Sequence, residues 1–162
     1  MTRFLRECIE YTGKTIAWLI YPIALVICVI VVLRYVFHIS IILQQELVEY
    51  MHALLFMIGL SYTLKHDAHV RVDVLYSKLR DSKKVLINLC GHLFLLIPVV
   101  CTIGYFSLEF AWDSWRILER SEEVRGIPAV YLLKTVIPFA FGLLLLQSIT
   151  DVVGYIKQLK SD

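Results

Sequence analysis

The stretch VLINLCGHLFLLIPVVCTIGYFSL, residues 85–108, decides the fold. It runs for 24 residues without an Asp, Glu, Lys or Arg. A helix rises about 1.5 Å per residue, so this stretch reaches about 36 Å, more than the hydrocarbon thickness of about 30 Å. Helices of soluble proteins need a polar face, which this stretch lacks. It therefore predicts a membrane-spanning helix.

Three further apolar segments indicate an integral membrane protein throughout. Residues 15–33 are uncharged, residues 47–64 carry only Glu49, and residues 135–150 are uncharged and extend back to 127 across Lys134. The chain is 59% hydrophobic and 19% charged. We predict an all-α membrane protein, a single domain over 1–162, with short interfacial amphipathic helices and four transmembrane helices. Their spans are about 15–37, 46–65, 85–108 and 127–155.

The distribution of Lys and Arg predicts the orientation. Eleven of them lie on the side shared by both termini and the second loop, and five lie on the other side. Because cytoplasmic loops carry the excess of positive charge, we expect both termini in the cytoplasm.

The loops carry the next features. In residues 66–84, the pattern from Asp73 onward fits a short amphipathic helix on the inner membrane surface, or equally a basic loop that only sets topology. Residues 39–43 are predicted as an interfacial helix between the first two spans. Glu46 and Glu49 share a helix face, and Arg34 is a candidate ion-pair partner for either.

The outer segment 109–126 mixes acidic and basic side chains with exposed aromatic ones. This composition suits a docking surface for another protein, while the alternative is a helical extension of the third span. The docking candidates are Trp112, Asp113, Trp115, Arg116 and Arg120.

The sequence offers little that carries chemistry. The four cysteines lack a CxxC spacing, so a zinc site is not expected. His52 and His92 lie at depths that differ by about 12 Å, which does not suit the two ligands of one haem. Gln147 and Asp151 are four apart on the last span, with Asp151 near its inner end. We predict no catalytic residue, no cofactor, no metal and no enzyme, but a subunit of a larger assembly.

Several motifs resemble the small membrane subunit of tripartite ATP-independent periplasmic (TRAP) transporters. They are Gln45-Glu46-Leu47 before the second span, HVRVDVL at 69–75, and Pro128, Tyr131 and IPFAFG at 137–142. The sequence departs from the family at the start of the second span, where family members often have a tryptophan and two adjacent acidic residues. Here these positions are occupied by Leu43, Gln45 and Glu46, so only one of the two acidic residues is present.

The resemblance implies a tight heterodimer with a large multispan transport subunit in a bacterial inner membrane. It also implies a periplasmic binding protein as transient partner, and sodium-driven import of an organic acid anion. Contacts with membrane lipids are expected and contacts with nucleic acid are not. His69, Arg71 and Asp73 are expected to fix the inner end of the second span and to act in assembly. The alternative function is a haem-bearing or other membrane anchor of an electron-transfer complex.

Overall fold

The computed structural model describes residues 2–68 and 79–161, and the described part is helical. Four helical stretches are long and apolar enough to cross a membrane, which confirms the predicted fold class. The helices are α1 (Thr2–Ala17), α2 (Ile20–Tyr35), α3 (Ile42–Lys65), α4 (Asp81–Gly91), α5 (Ile97–Ile117) and α6 (Val130–Ser161), with a π-helical turn, His92–Leu96, between α4 and α5.

The first span is preceded by a helix that the hydropathy pattern did not include. The first span was predicted to start near residue 15, but the chain is helical from Thr2, where α1 begins. The search for long uncharged stretches missed α1 because its apolar residues lie on one side of the helix and are separated in sequence by charged residues. α1 and α2 are separated by a tight turn in which the Tyr21 amide bonds to the Trp18 carbonyl at 3.3 Å. Pro22 lacks the amide that would continue the α-helical bond to Trp18, which explains the turn.

The connection between the first two spans is not helical. Residues 36–41 are turn, bend or irregular, so the predicted interfacial helix over 39–43 is wrong. The Ile39 amide instead bonds back to the Leu33 carbonyl at 2.9 Å and closes the end of α2. Ile41 is extended, and α3 starts directly after it.

The third span runs through α4, the π-helical turn and α5. The Ile97 amide bonds to the His92 carbonyl five residues earlier, which defines the π turn. Pro98 follows at once and cannot donate a helical bond, a common setting for such a bulge. α5 continues to Ile117, so the helical extension that was one of the two readings of segment 109–126 is present. The loop proper is 118–129.

α5 ends in a Schellman motif. The Glu119 amide bonds to the Ser114 carbonyl at 3.0 Å and the Leu118 amide to the Trp115 carbonyl at 3.2 Å. Leu118 has a φ of 45°, a left-handed conformation that usually falls to glycine. The motif turns the chain sharply from α5 into the loop that leads to α6.

α6 is the centre of the bundle. It packs most extensively on α5 and α3, and it also contacts α1 and α4. In the most apolar 18-residue stretch of α6, 33% of the residues are buried. In the corresponding stretches of the other three spans, 6% to 11% of the residues are buried. Small residues such as Ser61, Ala111 and Ala140 line these contacts and let the helix backbones approach closely. α2, by contrast, packs mainly on α3.

The amphipathic α1 is held against α3 and α6 at the end of the bundle where the chain starts and finishes. We call this the terminal end, and the end with loops 36–41 and 118–129 the distal end. Gly13 of α1 lies so close to Tyr62 of α3 that a Cβ atom there would overlap the tyrosine ring. The absence of a side chain at Gly13 is therefore what lets α1 pack on α3.

We predict that Gly13→Ala loosens α1 without unfolding the bundle. The added methyl group must displace the Tyr62 ring, and such overpacking costs about 1–3 kcal/mol. Hydrogen exchange of the α1 amides in detergent should become faster. Gly142→Ala is the matched control, because a Cβ at Gly142 meets no atom within 4 Å. Equal exchange in both variants would contradict this account of α1.

Candidate functional site

At the distal end, the Glu46 carboxylate holds loop 118–129 onto the start of α3. The Ser121 hydroxyl donates a hydrogen bond to Glu46 Oε1, and the Ile127 amide donates one to Oε2 at 2.5 Å. Gly126 lies against the same group, where a Cβ would overlap both Ser121 Oγ and Glu46 Oε1. We call this arrangement the Glu46 clasp. It joins the start of the second span to the loop between the third and fourth spans.

A second set of contacts fixes the ends of α5 and α6 beside the clasp. Lys134 Nζ lies 2.6 Å from Glu119 Oε2 and 4.0 Å from the centre of the Phe110 ring. Trp115 Nε1 donates to Thr135 Oγ1 at 2.7 Å. The Lys134 ammonium, donating to the Glu119 carboxylate, holds the pKa of Glu119 below its ordinary value of 4.5.

The docking candidates lie together at the distal end. Four of them, Trp112, Asp113, Trp115 and Arg116, occupy the last turns of α5, and Arg120 follows in the loop; all five are exposed. Asp113 and Arg116 approach to 3.9 Å on the surface. Further exposed apolar residues lie at the same end of the bundle. We define the distal platform as Trp112, Trp115, Ile117, Leu118 and Val124, which are 43% to 79% exposed.

The predicted pairing of Arg34 is not realised. Arg34 is in the last turn of α2 and is exposed. Within residues 2–68 and 79–161, no ion pair joins Arg34 to Glu46 or Glu49. The Glu46 carboxylate is instead taken by the clasp, while Glu49 is exposed on α3.

At the terminal end, a polar cluster around Asp151 lies between the helices, with Gln147 and His92 buried and Arg6 exposed. Asp151 Oδ1 accepts hydrogen bonds from Gln147 Nε2 at 2.9 Å and from Arg6 Nη2 at 3.3 Å. His92 Nε2 lies 4.0 Å from Asp151 Oδ2, and His92 Nδ1 lies 2.8 Å from the Asn88 carbonyl. The cluster links α1, the π turn and α6. The Gln147–Asp151 spacing was visible in the sequence, but nothing in it placed Arg6 or His92 alongside.

Glu10 forms a second link at the terminal end. Its carboxylate accepts a hydrogen bond from Lys65 Nζ, lies 2.9 Å from His66 Nε2, and pairs with Lys14 at 3.0 Å. These contacts tie α1 to the end of α3. The predicted motif residues His69, Arg71 and Asp73 follow immediately and lie outside the described residues, as does most of the predicted amphipathic helix in 66–84. Lys83 and Lys84 belong to α4.

The polar contacts described above join helices and loops to one another. Asp151 and Glu10 pair across helices at the terminal end, where His92 lies beside Asp151, and Glu46 and Glu119 join helices to the loop at the distal end. In the described part of the chain, no three His, Cys, Asp or Glu side chains form a group that could hold a metal ion. The polar groups described above form hydrogen bonds and ion pairs between helices and loops.

We predict that Glu46→Ala releases the loop 118–129. Losing hydrogen bonds to a charged acceptor costs about 1.5–3 kcal/mol, because Ser121 and the Ile127 amide lose their partner. The Ile127 amide should exchange hydrogen faster in detergent. Glu49→Ala, three residues along the same helix, should leave that amide unchanged in the isolated chain. Unaltered exchange in Glu46→Ala would contradict the clasp.

The Glu119–Lys134 pair should make distal stability depend on pH. Because the folded-state pKa of Glu119 is lowered, the pair stabilises the fold above about pH 4.5 and loses this contribution as the pH falls through the folded pKa. The difference in Tm between the parent chain and Glu119→Gln should therefore be largest near about pH 7 and shrink below about pH 4.5. A difference that stays constant over this range would refute the assignment.

Comparison with known proteins identifies the family. Residues 23–158 match the family model described as tripartite ATP-independent periplasmic transporters, DctQ component. No curated protein matches the chain. The match begins at the fourth residue of α2 and ends four residues before the last residue given, and it includes the Glu46 clasp, the distal platform and Asp151. The family is a transporter component and not a known enzyme family. The chain therefore belongs to the DctQ family, the small membrane component of TRAP transporters.

Proposed function

We propose that this chain is the scaffold subunit of a sodium-coupled, binding-protein-dependent secondary transporter that imports an organic acid anion. The observation that carries the proposal is the family match over residues 23–158. DctQ components work with a large permease and a periplasmic binding protein in TRAP systems. The small bundle stabilises the large permease in a tight heterodimer, while the substrate and sodium sites lie in the partners.

The proposed orientation places the chain in the bacterial inner membrane with its terminal end in the cytoplasm. The excess of Lys and Arg on that side supports this orientation. His69, Arg71 and Asp73 would then act at the cytoplasmic surface in assembly, through contacts with the permease or with anionic lipid headgroups. The distal end would face the periplasm.

The distal platform is proposed as the part that helps dock the periplasmic binding protein. Its support is an exposed group of large apolar side chains beside Asp113, Arg116 and Arg120, at the end opposite the termini. Aromatic and arginine side chains are enriched where proteins bind one another. The internal contacts of Trp115 and Lys134 keep the surface rigid, so little ordering is needed on binding.

The test of the assembly is a mild-detergent pull-down of the tagged chain from its native membranes, followed by mass spectrometry. We expect a multispan TRAP permease in stoichiometric amount, because the scaffold role requires a stable heterodimer. Recovery of the chain alone, in repeated mild conditions, would overturn the proposed function. A co-purified haem protein with a Soret band would do so as well.

We predict that Trp112→Ala weakens docking of the binding protein to the purified complex. Truncating a central aromatic side chain of an interface costs about 2 kcal/mol or more, which corresponds to at least about a thirtyfold loss of affinity. Trp18→Ala is the matched control, because Trp18 is 70% exposed, against 64% for Trp112, and lies near the terminal end. Equal affinity for both variants would rule out the platform as the docking surface.

A further inference from the structure

One outward face of α3 differs from the outward faces of the other spans. Glu49, His52, Phe56 and Gly59 follow one another at intervals of three and four residues, so they lie along one side of the helix. Glu49, His52 and Phe56 are exposed, Phe56 to 59%. A Cβ atom at Gly59 would meet nothing within 4 Å. We call these four residues the α3 face.

The α3 face lies at the depth of the hydrocarbon. α3 has 24 residues, Ile42–Lys65, and is therefore about 36 Å long. Taking the middle of the predicted span 46–65 as the membrane centre, His52 lies about 5 Å and Glu49 about 10 Å from it along the helix axis. The hydrocarbon extends about 15 Å to each side of the membrane centre. Both exposed ionisable side chains thus lie within the apolar layer, Glu49 in its distal part.

Neither ionisable side chain is satisfied within the chain. Across residues 2–68 and 79–161, Glu49 and His52 take part in no hydrogen bond or ion pair. Glu46, one turn earlier on the same helix, shows the contrast, because its carboxylate is held by the clasp. A charged side chain within the membrane is unfavourable unless it faces protein, water or a partner group. Lipid tails are therefore unfavourable neighbours for the α3 face.

The outward face of α6 shows what a lipid-facing stripe looks like in the same bundle. Its exposed residues Leu132, Phe139, Leu146 and Ile149 are apolar, with Gly142 among them. α2 is likewise apolar outward along its middle, with Arg34 only at its end. α3 also has the lowest mean hydropathy of the four spans. The polar outward positions at mid-depth are thus concentrated on α3.

We propose that the α3 face docks against a transmembrane helix of the large permease. That helix presents a hydrogen-bond donor or a basic side chain opposite Glu49 and His52, and packs closely over Gly59, where the backbone is accessible. The unpaired Glu49 and His52 disfavour lipid as the neighbour of this face, and the proposed heterodimer makes the permease its partner; a second copy of the chain is an outcome that the test separates. The inference rests on the proposed function, since it requires a large permease to be present.

The test is site-specific photocrosslinking in native membranes. The photoreactive residue p-benzoylphenylalanine replaces Phe56 on the α3 face in one variant of the tagged full chain. In the matched control it replaces Phe139 on α6, which is 55% exposed, against 59% for Phe56. We expect an adduct with the large permease, identified by mass spectrometry, from position 56 and at least about tenfold less of it from position 139.

The outcomes separate this inference from the proposed function. If the permease co-purifies but position 56 yields no adduct with it, or yields a dimer of the chain, the α3 face is wrong and the scaffold role stands. If no permease co-purifies with the parent chain, both proposals fall. Equal amounts of permease adduct from positions 56 and 139 would also contradict the proposal that the α3 face contacts the permease.

Substitution provides a second readout. Gly59→Leu should reduce recovery of the permease at least tenfold while the small chain itself is recovered in full, because a Cβ atom at Gly59 meets no other part of the chain within 4 Å. Gly142→Leu is the control, since a Cβ at Gly142 likewise meets no atom. Glu49→Gln and His52→Leu together should lower recovery in the same direction. Full permease recovery in Gly59→Leu would contradict close packing over this face.

Discussion

The hydrocarbon layer offers no hydrogen-bond partner, and the architecture of this chain follows from that constraint. The buried side of α6 carries Gln147, Ser148 and Thr150, and a bundle that hides them must wrap around α6. Thr150 bonds to the Leu146 carbonyl of its own helix at 2.9 Å, and Gln147 bonds to Asp151. Small side chains on α3 and α5 then let those helices close over the polar stripe.

Polar links at the two ends complement this central packing. The Asp151 cluster and Glu10 fasten α1 to the terminal end, whereas the Glu46 clasp and the Glu119–Lys134 pair fasten loop 118–129 to the distal end. α2 takes little part in either set of links and packs chiefly on α3. The result is a compact unit of α3, α5 and α6 with α1 and α2 added at its side.

The spans and the fold class were predictable because long uncharged stretches are a strong signal. The ends of the helices were harder to predict than the spans. α1 is amphipathic and the extension of α5 to Ile117 contains polar residues, so a hydropathy pattern detects neither. The docking candidates were selected by composition, and the structure places four of them on adjacent turns of one helix and Arg120 in the loop directly after it. Glu46 was singled out, but its partners were not, since Ser121 and the Ile127 amide are more than seventy residues away. The ion pair of Arg34 with Glu46 or Glu49 was predicted only because these residues were expected at a similar depth in the membrane. A similar depth does not determine the direction in which each side chain points.

The π-helical turn His92–Leu96 has a consequence for how the third span evolves and tolerates change. One extra residue in a helical turn rotates everything beyond it by about 100° relative to an uninterrupted α-helix. α4 and α5 are therefore phased independently: His92 faces Asp151 on one side of the turn while Ser107 and Ala111 face inward on the other. A single-residue deletion within the turn would let the span continue as a regular α-helix with both halves still in phase. The same deletion elsewhere in the span would rotate one half against the other by about 100°, and with it one of the two polar ends.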